Sequence, residues 1–469
     1  MASSNCWRCL SRPSQRLLAP ASRHHVAATA PPSITASFST SAQLAAKEVK
    51  EPSMSRHIRR GKNMILGKKK RQPDKGKPPQ PGERKAFRKR IQLSNDNALV
   101  VKGHQEMSAQ NMVDPDAIGQ MVELPEALQD QLRTCEAFKP IQSFSLFRKP
   151  HLLIRNETVD MAKQITHALE NKETLRLVLT GERGTGKSIL GLQALATGFL
   201  NKAVVINIPE GQELTTGATE YSVIPHSKMF SLPVYTVKLM QAIHATNHHI
   251  LSKHKVEGDY INLPISVPRN MTLAGLLSAT KEPEFAPPVF QAFWNELTLP
   301  GRPPIVFALD GLSHIMRVSD YRSPAFELIH SHDLNLVRMF TDALGGKTKF
   351  PNGAAIVAMT AKRNGLHIPS MEKAIEQAGA AQAGKEIPPR DPFFAKYDER
   401  VFEALKGVRL LDVKGVSKME ARALMEYWAA SGILRLRVDE QNVSEKWTLA
   451  GGGMLAEMER VSLFDIRVQ

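Results

Sequence analysis

Cysteine is nearly missing from this chain: Cys6, Cys9 and Cys135 are the only thiols in 469 residues. Three scattered thiols make no disulfide framework. Cys6 and Cys9 form a C-x-x-C, but no second pair completes a zinc site, and both lie in a segment expected to be removed. Long apolar runs are missing as well. No stretch reaches the roughly 18 apolar residues that a membrane-spanning helix needs. Acids are missing from the first 46 residues, which carry Arg8, Arg12, Arg16 and Arg23 among many Ser and Ala. That composition predicts a mitochondrial transit peptide over residues 1–45, with a processing region near Ser37–Ser41. A secretory signal is excluded, because no uninterrupted apolar core of adequate length is present.

What remains is ordinary for a globular protein, at 42% hydrophobic and 23% charged residues. The length suggests two or three domains. The formal charge of +16 is concentrated. Residues 56–90 hold fifteen Lys or Arg against Asp74 and Glu83, whereas the chain beyond them is close to neutral. Residues 46–95 therefore read as a disordered basic arm, since dense like charge with few apolar groups does not offset the entropy of ordering. Such an arm releases counterions on meeting a phosphate backbone, so nucleic acid is its natural partner. Only Phe87 offers a ring, so the contact would be of backbone type, without base stacking.

Residues 96–145 read as an N-terminal extension, 146–394 as the main α/β domain, and 395–469 as a C-terminal lid. Asn156 to Leu169 carries Met161, Ile165, Ala168 and Leu169 at helical spacing. Short apolar strands follow at 175–179, 203–208, 305–309, 354–359 and 408–413, separated by helical stretches. That alternation predicts a parallel sheet covered on both faces. The proline-containing stretch 210–300 is expected to be partly helical. Ser417 to Glu420 is a capping box opening a helix through Trp428 that Gly432 ends. Leu434–Val438 and Glu445–Leu449 are expected to pair as a wing-like hairpin.

One motif carries chemistry. Gly181, Glu182, Arg183, Gly184, Thr185, Gly186, Lys187 and Ser188 fill G-x-x-x-x-G-K-S between an apolar strand and a helix. Glycines at these positions let successive N–H groups turn inward on a phosphate. Lys187 supplies a point charge for the β- and γ-phosphates, Ser188 a hydroxyl for Mg2+, and the helix start a positive dipole end. Asp310, closing the 305–309 strand, is the expected acid on a neighbouring strand for the same metal. Gly311 follows it where many hydrolytic relatives of this motif carry a second acid, so nucleotide binding is expected more firmly than turnover. Glu296 and Glu327 are acids elsewhere in the sequence, and spacing alone does not place either beside the loop. Thr360, at the end of the 354–359 strand, is either a sensor of a γ-phosphate or a plain strand-end threonine in a turn, and Lys362 and Arg363 just beyond face phosphate or solvent. His226, His248 and His249 lack partners at metal-ligand spacing. No N-K-x-D element selects guanine.

The succession of presequence, basic arm, Gly181–Ser188 loop, Ile206-Asn207-Ile208-Pro209 strand end, Leu309-Asp310-Gly311, Gly353–Thr360 strand and Ser417–Trp428 helix resembles the death-associated protein family. That family is the nucleotide-binding protein of the small subunit of mitochondrial ribosomes. The resemblance covers roughly residues 140–469, and the arm is similar to that of fungal members. It implies a P-loop NTPase (AAA-like) fold with a small helical, winged-helix-like C-terminal domain. It further implies GTP or GDP, with ATP as the alternative, and Mg2+ held by Ser188 and Asp310. Implied partners are small-subunit ribosomal proteins and rRNA, with a contact to the large subunit, in the mitochondrial matrix. A structural subunit stabilised by its nucleotide is the leading expectation. The competing one is an active ATPase or GTPase of assembly or remodelling.

Overall fold

Five parallel strands organise the molecule. In chain order they are β1 (Thr174–Thr180), β2 (Val204–Ile208), β3 (Ile305–Asp310), β4 (Ala354–Met359) and β5 (Arg409–Asp412), and in space the order is β5-β1-β4-β3-β2. The computed structural model describes residues 91–464, apart from 226, 362–365 and 395. The transit peptide, most of the basic arm, Cys6, Cys9, Phe87, His226, Lys362 and Arg363 lie outside the described residues.

Burial explains why the strands are apolar almost throughout. Leu177, Leu179, Val205, Val306, Ala308, Ala355 and Val357 point into one core, and Val178, Val204, Ile206, Ile305, Phe307, Ala354 and Ile356 into another. The period of two along each strand sends alternate residues to opposite faces, and both faces are covered. On the first face lie the helices Asn156–Glu170 and Lys187–Leu200. On the second lie Pro233–Leu251, Ala286–Leu297 and Asn335–Leu344. The 210–300 stretch is thus partly helical, as its composition suggested. β2 forms an edge of the sheet, and its outward backbone is covered: Asn247 accepts from Val205 N at 2.8 Å and donates to Val205 O at 2.9 Å. A side chain here does what a further strand would otherwise do.

The regions before and after the α/β layer share a third core. Met121, Phe147 and Leu153 pack with Val416, Leu424, Met425, Tyr427, Trp428 and Met458. Tyr427 donates its hydroxyl to Lys149 O at 3.1 Å, and Leu99 N donates to Ser431 O at 3.2 Å. The Ser417 capping box is formed in full, with Ser417 and Glu420 exchanging side-chain bonds with each other's backbone N–H. The sheet takes its edge strand β5 from within the 395–469 stretch, and the chain then turns helical.

The expected wing-like hairpin does not form, so the C-terminal region is not of winged-helix type. Leu434–Val438 is an irregular connection, and Glu440–Leu449 is a helix. Asp439 overrides the β pattern by capping that helix through Asn442 N at 2.8 Å. Val443 and Trp447, four apart, then meet the third core on one helical face, and Trp447 donates to Val416 O at 2.7 Å.

Glu296, fully buried, is a structural acid. It accepts from Arg302 at 2.6 Å, Gly258 N at 2.6 Å, Glu257 N at 3.1 Å and the Tyr260 hydroxyl at 3.0 Å. Arg302 in turn donates to Lys255 O at 2.7 Å. This ion pair pins the 255–260 turn to the helix Ala286–Leu297. Removing one partner of a buried pair strands the other charge. Glu296→Gln is therefore expected to destabilise the protein by about 3–5 kcal/mol, measured as a shift in denaturant midpoint without loss of the parallel-sheet circular dichroism signal.

Candidate functional site

The carboxyl ends of β1, β3 and β4 open onto a cavity of about 590 Å3. Ligand sites in open parallel sheets form at such strand ends. β1 runs straight into the glycine loop. Gly181, at φ 132°, has no room for a Cβ, which would strike the Val413 carbonyl oxygen just beyond β5. Gly186, at φ 99°, is the left-handed residue from which the helix Lys187–Leu200 starts. A Cβ on it would lie 3.0 Å from Leu455 Cδ2.

The loop is closed on itself. Lys187 Nζ donates to Gly181 O at 2.9 Å and to Glu182 O. The Thr185 hydroxyl also donates to Glu182 O, at 3.0 Å. From outside, Arg155 holds the loop: Nη1 donates to Thr185 O at 3.0 Å, and Nη2 reaches Lys414 O at 2.8 Å and Glu157 at 3.1 Å. Arg155 therefore ties the glycine loop to the residues that follow β5.

Asp310, ending β3, faces the start of the loop helix. Its Oδ2 accepts from the Ser188 hydroxyl at 2.7 Å and pairs with Lys139 Nζ at 2.6 Å. A serine hydroxyl and a carboxylate at this separation are a fitting oxygen pair for a hard divalent cation. Gly311, next along, is left-handed at φ 88° and carries no carboxylate. Gly184, Gly186, Lys187, Ser188 and Asp310 line the cavity, as do Arg183 and Thr360. Glu182 and Thr185 serve the loop through the bonds above. The Thr360 hydroxyl is used within the sheet, donating to Leu179 O at 3.0 Å.

Sequence reasoning missed three walls. Lys139 and Gln142 enter from the N-terminal extension. Glu210 follows β2. Leu455, Ala456 and Glu459 come from the short helix Leu455–Glu459, and Ala456 N donates to Gly184 O at 3.0 Å. Burial pushes the Glu459 carboxyl up, against the opposing effect of Ser143, whose hydroxyl donates to it at 2.8 Å. None of these residues stands in a local pattern that would have pointed to the site. Glu296 and Glu327 do not line the cavity. Cys135 is buried and its thiol is pushed up to about 12 by burial, so it is no nucleophile. Among the described residues no cluster of three or more His, Cys, Asp or Glu forms a metal site, and no helix is long and apolar enough to cross a membrane.

Because Arg155 is buried and satisfies a carbonyl of the loop and others just beyond β5, Arg155→Met is expected to cost about 2–4 kcal/mol. It should also raise amide exchange selectively at 182–187 and 413–416. Unaltered protection in those two segments would count against this account of how the loop is held.

A sequence model described as mitochondrial ribosomal death-associated protein 3 matches residues 152–461, a span that includes the glycine loop, Asp310, Thr360 and the helix at 455–459. Small ribosomal subunit protein mS29 of Neurospora crassa is 48% identical over 478 residues, covering 100% of each chain. Its namesake in Schizosaccharomyces pombe is 22% identical over 342 residues, covering 71% of this chain and 69% of its own. The family match covers more than half of the sequence and a full-length relative is nearly half identical, so this chain belongs to the mitochondrial ribosomal death-associated protein 3 family.

Proposed function

We propose that this protein is a structural component of the small subunit of the mitochondrial ribosome, in the mitochondrial matrix, and that it binds a purine nucleotide with Mg2+ through the loop Gly181–Ser188. The full-length similarity to mS29 of Neurospora crassa supports the ribosomal reading. One observation carries the nucleotide reading: a glycine-rich turn, a lysine, a serine hydroxyl and a strand-end carboxylate converge on one cavity, with Ser188 2.7 Å from Asp310. On this reading the α/β layer is a P-loop NTPase fold of AAA-like type, without the acid that turnover ordinarily uses after Asp310.

Each residue has a defined task. The backbone N–H groups of 184–188 and the helix start face the phosphates. Lys187 exchanges its bonds with Gly181 O and Glu182 O for phosphate oxygens. Ser188 and Asp310 would hold Mg2+, and Thr360, which lines the same cavity, would reach a γ-phosphate only by giving up its bond to Leu179 O. Mg2+ supplies charge neutralisation to the polyphosphate. GTP or GDP is the proposed ligand and ATP the alternative. The basic arm binds rRNA through its phosphate backbone, alongside small-subunit proteins and a contact with the large subunit.

A ligand that binds only the folded state stabilises it, by about 2.7 kcal/mol at 100 times its Kd. The protein purified from ribosomal particles is expected to carry a stoichiometric purine nucleotide, identified by mass spectrometry. Lys187→Ala is expected to lose that nucleotide together with a few degrees of Tm. Unchanged nucleotide content and Tm in Lys187→Ala would refute the nucleotide reading.

Hydrolysis has one observation in its favour: Glu210 and Glu459 line the cavity. The structural reading expects cosedimentation with small-subunit particles in moderate salt and no sustained phosphate release. Steady turnover that disappears in Glu210→Gln or Glu459→Gln, from a protein found only in the soluble fraction, would establish the enzyme instead.

A further inference from the structure

The Asp310 carboxylate already has a cation. Lys139 Nζ lies 2.6 Å from Oδ2, the same oxygen that accepts from the Ser188 hydroxyl. The ammonium also donates to Pro209 O at 2.7 Å. Both Lys139 and Asp310 have largely buried side chains, at 17% and 13% exposure, so solvent screens this pair little. Lys139 belongs to the turn after the helix Glu126–Thr134, and that turn is built to hold it. Asn207 donates to Cys135 O at 2.8 Å, Phe138 is buried edge-on against Phe144, and Lys139 N donates to the Gln142 side chain at 2.8 Å. A lysine fixed so firmly at the end of β3 is no stray surface charge.

A divalent cation held by Ser188 and Asp310 would lie within a few ångströms of the ammonium on Oδ2, whichever carboxylate oxygen it takes. Two positive centres, one of them doubly charged, against one carboxylate in a poorly screened site repel strongly. A retreat exists for the monovalent one. Lys139 also borders a second cavity, of about 550 Å3, lined by Glu210 and by Glu136 and Glu213, which share Lys238 at 2.7 and 3.5 Å. Its side chain thus stands between a carboxylate at the glycine loop and acids on the other side, where Ile91–Ser94 also lie.

We infer that Lys139 is the resident counter-ion of Asp310 and is displaced by the divalent cation that enters with the nucleotide. The displacement couples occupancy of the loop to the position of the turn at 136–143. That turn carries Ser143, the partner of Glu459 on the helix that closes over the loop, so the signal extends to the C-terminal region. The inference takes the source of its cation from the nucleotide reading, but a metal titrated without nucleotide tests it separately.

The experiment uses the full chain freed of nucleotide, with Mn2+ alone as the probe and unbound Mn2+ read by electron paramagnetic resonance. Lys139→Met, which removes the competitor, is expected to bind Mn2+ about tenfold more tightly than the unaltered protein. Lys139→Arg keeps the charge and is expected to bind as weakly as the unaltered protein. Asp310→Asn is expected to abolish binding in either background. In the unaltered protein, Mn2+ should also raise amide exchange at 136–143. Equal or weaker Mn2+ binding by Lys139→Met, no Mn2+ binding by any variant, or exchange at 136–143 that ignores Mn2+ would each overturn the inference. A protein that shows the Mn2+ competition but retains no purine nucleotide would overturn the nucleotide reading and leave this one standing.

Discussion

A carboxylate placed at the end of a buried parallel strand must be neutralised, and the neutralisation of Asp310 sets the arrangement around it. Its Oδ2 gathers a hydroxyl from the first turn of the loop helix and an ammonium from a turn 171 residues upstream. Two chain regions that share no secondary structure are thereby brought against one atom of the sheet. The glycine loop can close where it does because the strand beside it, β4, carries Met359 O to Gly311 N at 3.0 Å and holds the acid's own backbone in register.

The loop itself is held from behind as well as from below. Arg155 bridges it to the residues after β5, and the Val413 carbonyl closes the space in which a side chain at Gly181 would sit. The helix at 455–459 presses from the opposite side through Leu455 and Ala456. Three stretches, the N-terminal extension, the α/β layer and the C-terminal helices, thus each supply a wall of one cavity, and a shared core around Tyr427 and Trp428 keeps the first and last of them together.

Local patterns announced the elements whose causes are local. β1 to β4 are apolar because both faces are covered, the Gly181–Ser188 spacing is dictated by backbone torsion, and Ser417 with Glu420 satisfies its own helix end. Asp310 was readable because it terminates an apolar strand. Lys139, Arg155 and Glu459 were not, since each acts on atoms far away in sequence and resembles any other charged residue in its own neighbourhood. The hairpin expected near 434–449 shows the reverse failure. Alternation in Leu434–Val438 looked like a strand, but a capping aspartate and one helical face bearing Val443 and Trp447 decided the outcome. Long-range packing outweighed a weak local preference.

The bond from Ala456 N to Gly184 O joins the two ends of a very long stretch of chain. During synthesis the glycine loop is made long before the helix that braces it. Contacts this distant in sequence form late, because the closure entropy of the intervening chain comes first. A growing polypeptide therefore carries an unbraced loop until the 455–459 helix has been made and packed. Arrival of that helix, rather than appearance of the motif, sets the moment at which the site acquires its mature shape.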